Sequence, residues 1–296
     1  MSGLGNVFLW GAQPVVLPAN PFLAWILPVP MNVDFYRNNR RYSENLRDSD
    51  PRRFQSAPLL CASQSFYHKY ARALCRQAKP QAAILDVGCG VGQVVRDLSS
   101  WGFQASGIDV SQTSIDLALE HSLSCRVYDG KTIPLANDSF DAVGAFNVLE
   151  HVEDPTSFLD EMNRVLRPGG TMIVSSPNFL RVIGWRDYHP HMRGGAQKIQ
   201  NLKTLWRHAR QYSRDSTTVL FEKLTPLIRD NPMPDDDAIV ATNALDIRRY
   251  FQTRKFGGIR VSCVDRPVPK LLETILDATP FRFLMLNSFI VAQKRG

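Results

Sequence analysis

The first 33 residues contain no charged side chain, and Asp34 is the first. The stretch is apolar but is broken by Pro14, Pro18, Pro21, Pro28 and Pro30. No run of about 18 to 20 helix-competent residues therefore exists there to span a bilayer. Met1 to Asn6 also lacks the basic region that precedes the apolar stretch of a secretory signal. Residues 1–30 are expected to be a disordered or surface-docked extension, or the product of a mistaken translation start. Cysteine is scarce: Cys61, Cys75, Cys89, Cys125 and Cys263 are odd in number and form no C-x-x-C pair. That excludes a disulfide framework and a zinc site, and suits reduced thiols in the cytoplasm. Neither a Walker phosphate loop, nor a paired-carboxylate site, nor a Ser-His-Asp order is visible, and no metal site is expected.

The 296 residues suffice for a large core, and 44% apolar with 21% charged is ordinary for a globular chain. The net charge of +7 is uneven. Residues 81–177 hold 5 Lys/Arg against 13 Asp/Glu, residues 31–80 hold 10 against 4, and residues 181–229 hold 10 against 3. An acidic centre is thus flanked by basic segments. These are either solvated faces or an entrance for an anionic or membrane-associated partner.

The centre of the chain is Ile84-Leu85-Asp86-Val87-Gly88-Cys89-Gly90-Val91-Gly92-Gln93, an apolar strand running through three alternate glycines into a helix that stops at Gly102. A side chain at Gly88, Gly90 or Gly92 would hold a ligand off the main chain. Dinucleotide enzymes use G-x-G-x-x-G to face a pyrophosphate. Here the pattern is G-x-G-x-G preceded by Asp86, which favours a ligand without phosphate. A second strand, Gln104 to Ile108, ends at Asp109, 21 residues beyond Gly88, where a carboxylate reaches ribose hydroxyls from a neighbouring strand. Ser111 then caps a helix.

A third strand, Cys125 to Tyr128, leads to Asp129-Gly130 and Ile133-Pro134-Leu135. A fourth, Asp141 to Phe146, leads to Asn147-Val148-Leu149-Glu150-His151, and Asp154-Pro155 opens a helix that ends at Arg167-Pro168-Gly169-Gly170. Together these motifs resemble the class I S-adenosylmethionine-dependent methyltransferases, most closely the small-molecule type that includes quinone and sterol methylases. The resemblance covers residues 60–178 strongly and 243–293 in outline. It implies an α/β doubly wound sheet of seven strands in the order 3-2-1-4-5-7-6, with strand 7 antiparallel. A helical cap, about residues 178–242, would be inserted after strand 5, with helices over Ile199 to Tyr212 and Thr218 to Ile228. The methyltransferase domain would occupy 58–296, behind an extension and basic linker at 1–57.

The resemblance also implies S-adenosyl-L-methionine as cofactor, held by Asp86, Gly88, Cys89, Gly90 and Gly92 in the loop. Asp109 with Val110 would take the ribose, Asp129 and Gly130 the adenine, and Asn147 the methionine part. A helix at 58–78 would cover this pocket, with Tyr67 or Tyr70 touching the ligand or packing in the core. Methyl transfer to a hydroxyl needs alignment and a base near neutral pKa, a role open to His151, His189 or His191. Of these, His151 and His189 are the candidates, though His151 could instead fix its loop. His68, His121 and His208 read as surface or packing residues. The expected activity is methylation of a small or medium-sized acceptor, on oxygen first, with nitrogen or carbon as alternatives. Docking of RNA or protein on the basic flanks, or a non-catalytic cofactor-binding scaffold, are the competing readings.

Overall fold

The computed structural model describes residues 8–10, 13–15, 67–184, 187–227, 235–265 and 269–296. The expectations for the linker and for the first half of the 58–78 helix lie outside these residues. Near the start of the chain, Phe8–Trp10 and Gln13–Val15 pair as a short antiparallel hairpin.

The main sheet is built from β1 (Ala83–Val87), β2 (Gln104–Asp109), β3 (Cys125–Val127), β4 (Phe140–Phe146), β5 (Leu166–Pro177), β8 (Gly257–Ser262) and β9 (Asn287–Gln293). A two-residue ribbon, β6 (Glu222–Lys223) with β7 (Val240–Ala241), stands apart. The main sheet runs 3-2-1-4-5-9-8 and is parallel from β3 to β5, with β9 antiparallel to both β5 and β8. Counting sheet strands alone, this is the expected seven-stranded order.

Period-two alternation in the strands divides the core into two layers. Leu85 and Val87 of β1, Val143 and Ala145 of β4 and Met172 and Val174 of β5 face one side, where α4 (Pro155–Val165) and α6 (Ala244–Thr253) supply Phe158, Leu159, Met162, Ile247 and Phe251. Ile84, Ala142 and Ile173 face the other, against Leu74 of α1 (His68–Cys75), Val94, Val95 and Leu98 of α2 (Gln93–Ser100), and Ile115 of α3 (Gln112–Glu120). Helices on both faces bury a parallel sheet whose strands carry little polarity.

The helix ends follow local chemistry. Ser111 accepts from the Ser114 N–H at 3.2 Å, and Asp154 accepts from Thr156 and Ser157 with Pro155 at the first helical position. Each such cap is worth about 1 kcal/mol. Leu166 closes α4, its N–H donating to the Met162 carbonyl, and also starts β5, where it pairs with Phe140. Gly257 and Gly258 lie at an irregularity inside β8.

The cap consists of the 20-residue α5 (Gly195–Arg214) and extended segments. The helix expected over Thr218 to Ile228 does not form over the described part, 218–227. Val219 and Phe221 alternate against the main core, Leu224 enters the cap core, and Glu222–Lys223 pairs with β7. Two further helices, α7 (Lys270–Ala278) and α8 (Phe281–Leu284), precede β9.

Candidate active site

The glycine loop lies at the C-terminal end of β1, where a ligand site is expected in an open parallel sheet. Gly88 has φ +76°, and a Cβ there would fall 2.3 Å from Val148 Cγ2. At Gly92, φ is +77° and a Cβ would meet Leu123 Cδ1 at 2.6 Å. At these two positions the side chain is excluded by the protein's own packing as well as by any ligand. The loop's amides are turned inward: Gly88 and Cys89 donate to the Ile108 carbonyl at 2.7 and 3.1 Å, Gly90 donates to Asp109 Oδ2 at 2.9 Å, and Gly92 donates to the Cys89 carbonyl at 3.0 Å. Four amides already satisfied within the protein do not form a phosphate nest.

Carboxylates surround the loop. Asp86 is buried and accepts from the Tyr70 hydroxyl at 2.8 Å. Burial pushes its pKa up to about 7, the Tyr70 bond opposes this, and the charge of Asp109 adds to it. Asp109 is partly exposed at the end of β2 and accepts from the Gly90 and Ser111 amides, both at 2.9 Å. Its pKa is raised by burial, against the pull of those amides. Val110 packs on the main core beside it. Asp129 is exposed, and its Oδ1 accepts from Lys131 and Thr132 N–H at 2.8 and 2.7 Å, with Gly130 at φ +80° inside that turn. Asn147 is exposed at the end of β4 with φ +54°, its amide donating to the Ser175 carbonyl at 2.9 Å.

A rim of acids over bare main chain, with amides already used, suits a cationic nucleoside better than a phosphorylated one. By that measure the residues fit S-adenosylmethionine, whose sulfonium and ammonium groups are positive. Tyr70 is wholly buried, its hydroxyl filling the space where Gly144 would carry a Cβ, and so belongs to the core. Tyr67 is half-buried, edge-on to Phe146 at 5.3 Å.

A second group of polar residues lies just beyond β4. His151, in the 3-10 turn Leu149–His151, has Nδ1 3.2 Å from Asp237 Oδ2 and Nε2 3.9 Å from Glu150 Oε1. Burial lowers its pKa to about 4, so the ring is neutral at pH 7. Burial also raises Asp237 to about 6. Glu150 is fully buried: Oε2 accepts from the Ser176 hydroxyl at 2.9 Å, whereas Oε1 has no hydrogen-bond partner among the described residues. Burial, and next the charge of Asp235, holds its pKa far above the usual carboxylate range. Glu150, His151 and Asp235 bring ligand-capable atoms within 4.8 Å of one another, and Asp235 accepts from the Tyr188 hydroxyl of the cap.

His189 is placed elsewhere. It is buried in the cap, edge-on to Phe179 at 5.0 Å and stacked on His191 at 5.5 Å, and its Nδ1 accepts the His191 amide at 3.3 Å. His208, expected in packing, is buried between Asp246 and Glu222 at 2.8 to 3.0 Å, which join α5 to α6 and β6. Sequence reasoning gave no role to Asp235, Asp237, Tyr188 or Glu150. A run of three aspartates has no periodic signal; only the turn at Asp235, φ +63°, with Leu227 N–H donating to the Asp236 carbonyl, brings it back to β4.

This arrangement defines an α/β domain with a bare glycine loop, an acidic rim around it and a cluster of buried polar side chains just beyond β4. A methyltransferase domain family matches residues 85–174. A ubiquinone biosynthesis O-methyltransferase of Chelativorans is 31% identical over 170 residues, spanning 51% of this chain and 67% of that protein. One from Xanthomonas campestris pv. campestris is 36% identical over 110 residues, 35% of this chain and 46% of that protein, so the chain spans about half the length of the first curated relatives. A phosphoethanolamine N-methyltransferase 2 of Haemonchus contortus, solved with phosphomonomethylethanolamine and S-adenosylhomocysteine, has the same fold. Its TM-score is 0.55 at 16% identity, covering 91% of this chain and 61% of that one. The chain belongs to the class I S-adenosylmethionine-dependent methyltransferases of the small-molecule type, with S-adenosylmethionine as its cofactor.

Asp109 offers a test of the cofactor assignment. Asp109→Ala removes the acceptor expected for the ribose and frees the Gly90 amide, so with that role S-adenosylhomocysteine affinity should fall about 10- to 100-fold. Titration calorimetry giving an unchanged affinity would contradict the role.

Proposed function

We propose that the chain transfers a methyl group to a hydroxyl of a small or medium-sized acceptor, with His151 as general base. The observation that carries this reading is the place of His151, beside Asp237 at the end of β4, four residues beyond Asn147 and beneath the cap; its pKa of about 4 leaves the ring free to accept a proton at pH 7, though as a weaker base than the near-neutral value best suited to the step. The relatives named above are O-methyltransferases of ubiquinone biosynthesis, which supports an oxygen acceptor. In this reading Asp86, Asp109, Asp129, Asn147 and the glycine loop hold the cofactor, which when bound supplies an electrophilic methyl on a sulfonium. Asp237 keeps the ring proton on Nδ1, leaving Nε2 to take the hydroxyl proton as the oxygen attacks. Tyr188 and Glu150 close the pocket and exclude water.

The acceptor's reacting end is an uncharged hydrogen-bond donor, because the Asp237 carboxylate beside His151 would repel an anion, while burial favours the protonated form of Glu150. The basic residues of α5 that suggested an anionic partner, Lys203, Arg207 and Arg210, point outward instead. Incubating the protein and a metabolite extract with isotopically labelled methyl donor, then identifying the labelled product by mass, tests this directly. A labelled methoxy product supports the proposal, whereas label confined to amines or carbon would replace it.

A further inference from the structure

The outer face of α5 has no counterpart in the chemistry above. Its inner face is firmly seated: Asn201, Thr204, Leu205 and His208 are buried. Asn201 Nδ2 donates to the carbonyls of Phe179, Arg181 and His191 at 3.2, 3.2 and 2.8 Å. The opposite face presents Ile199, Leu202 and Trp206, which are 58%, 49% and 62% exposed. Their i, i+3, i+7 spacing places them in one stripe. Lys203, Arg210 and Arg214 are exposed along its flank at i, i+7, i+11, and the Arg210 guanidinium lies 5.2 Å from the Trp206 ring centre. From Gly195 to Arg214 there are five Lys/Arg and no Asp or Glu.

An apolar stripe of this kind, aromatic-bearing and flanked by Lys203, Arg210 and Arg214 while the helix's other two cations, Lys198 and Arg207, pair with Asp187 and Glu222, is the make-up of a helix that lies in a membrane interface. A second copy of the chain is a poor occupant, since two such helices would bring only like charges together. No helix among the described residues is long and apolar enough to cross a bilayer, so the contact is peripheral. The other exposed apolar helix, α7, carries Leu271, Leu272 and Ile275 but mixes Lys270 with Glu273 and Asp277, and has no such sign preference.

We infer that α5 docks the protein on an anionic phospholipid surface, with Ile199, Leu202 and Trp206 entering the headgroup boundary and Lys203, Arg210 and Arg214 holding lipid phosphates. The inference concerns the outer face of the cap and does not depend on the acceptor or on the base.

Flotation of the full chain with phosphatidylcholine vesicles, with and without phosphatidylglycerol, tests it. The protein should float with the anionic vesicles, lose that binding as salt rises, and stay behind with phosphatidylcholine alone. Leu202→Ser with Trp206→Ser should cut partitioning about tenfold or more, and Lys203→Gln with Arg210→Gln about tenfold. All four residues are exposed, and unchanged calorimetric binding of S-adenosylhomocysteine would show that the variants are folded. Equal flotation with both vesicle types would overturn the inference. So would flotation of the Leu202/Trp206 variant at the parental level, or a dimer of the parent that the same variant dissolves.

Discussion

His151→Gln should lower kcat by about 10²- to 10⁴-fold, the usual share of a positioned general base, while S-adenosylhomocysteine affinity stays at the parental value. Glutamine keeps the size and a hydrogen bond toward Asp237 but has no basic nitrogen. A role confined to holding the loop would show the opposite pattern, with altered stability and nearly full turnover. The pH profile separates the two readings further. Activity requires a neutral imidazole, and burial places the pKa of His151 at about 4. Protonation of the ring therefore cuts activity only well below the usual histidine range. Asp237, raised by burial to about 6, is neutralised first on acidification, and the ring then loses the anion that fixes its tautomer. The profile of kcat/KM should fall in two steps, near pH 6 and near pH 4. In Asp237→Asn the upper step should disappear and only the lower remain. A single step near pH 6.5, or full activity of His151→Gln on the identified acceptor, would remove His151 from the base role.

The glycine loop and its acidic rim, the proposed cofactor half of the site, were legible in the sequence because they obey local rules. Strand period, glycine spacing and the caps at Ser111 and Asp154 are set within a few residues, and Asp109 follows from the fixed offset between adjacent parallel strands. The reason for the glycines was only half visible. Val148 and Leu123, which exclude a side chain at Gly88 and Gly92, arrive from other elements. The proposed acceptor half was hardly legible. Glu150 sits in a motif that reads as a helix start, and nothing local says that Oε1 will be buried without a hydrogen bond. Asp235 and Asp237 reach His151 from more than 80 residues away, through a turn that no hydrophobic period announces. The error at Thr218 to Ile228 has the same origin: a few apolar residues fit either period, and the pairing of Glu222–Lys223 with β7 decided in favour of the extended form.

Asp86→Asn should stabilise the fold at pH 8 and weaken the cofactor together. The folded-state pKa of Asp86 is raised from 3.8 to about 7, chiefly by burial. A raised carboxylate pKa means that folding favours the protonated form. Its contribution is intact below the unfolded value and is lost as pH rises through the folded one. At pH 8 the wild-type protein carries a buried anion whose cost, at 1.36 kcal/mol per pKa unit, is about 2 to 4 kcal/mol once partial relaxation is allowed for. Asparagine removes that charge and retains an oxygen for the Tyr70 hydroxyl. Denaturant unfolding should therefore show the variant more stable than the parent at pH 8, with the difference shrinking toward pH 5. Binding should move the other way. A cationic ligand beside Asp86 favours the ionised form, so losing the charge should cost about 10- to 100-fold in S-adenosylmethionine affinity. The parent's affinity should also decline as pH drops from 8 to 6, a slope the variant lacks. Should the variant match the parent in stability at both pH values, Asp86 is already neutral or well solvated, and its charge does not help to hold the sulfonium.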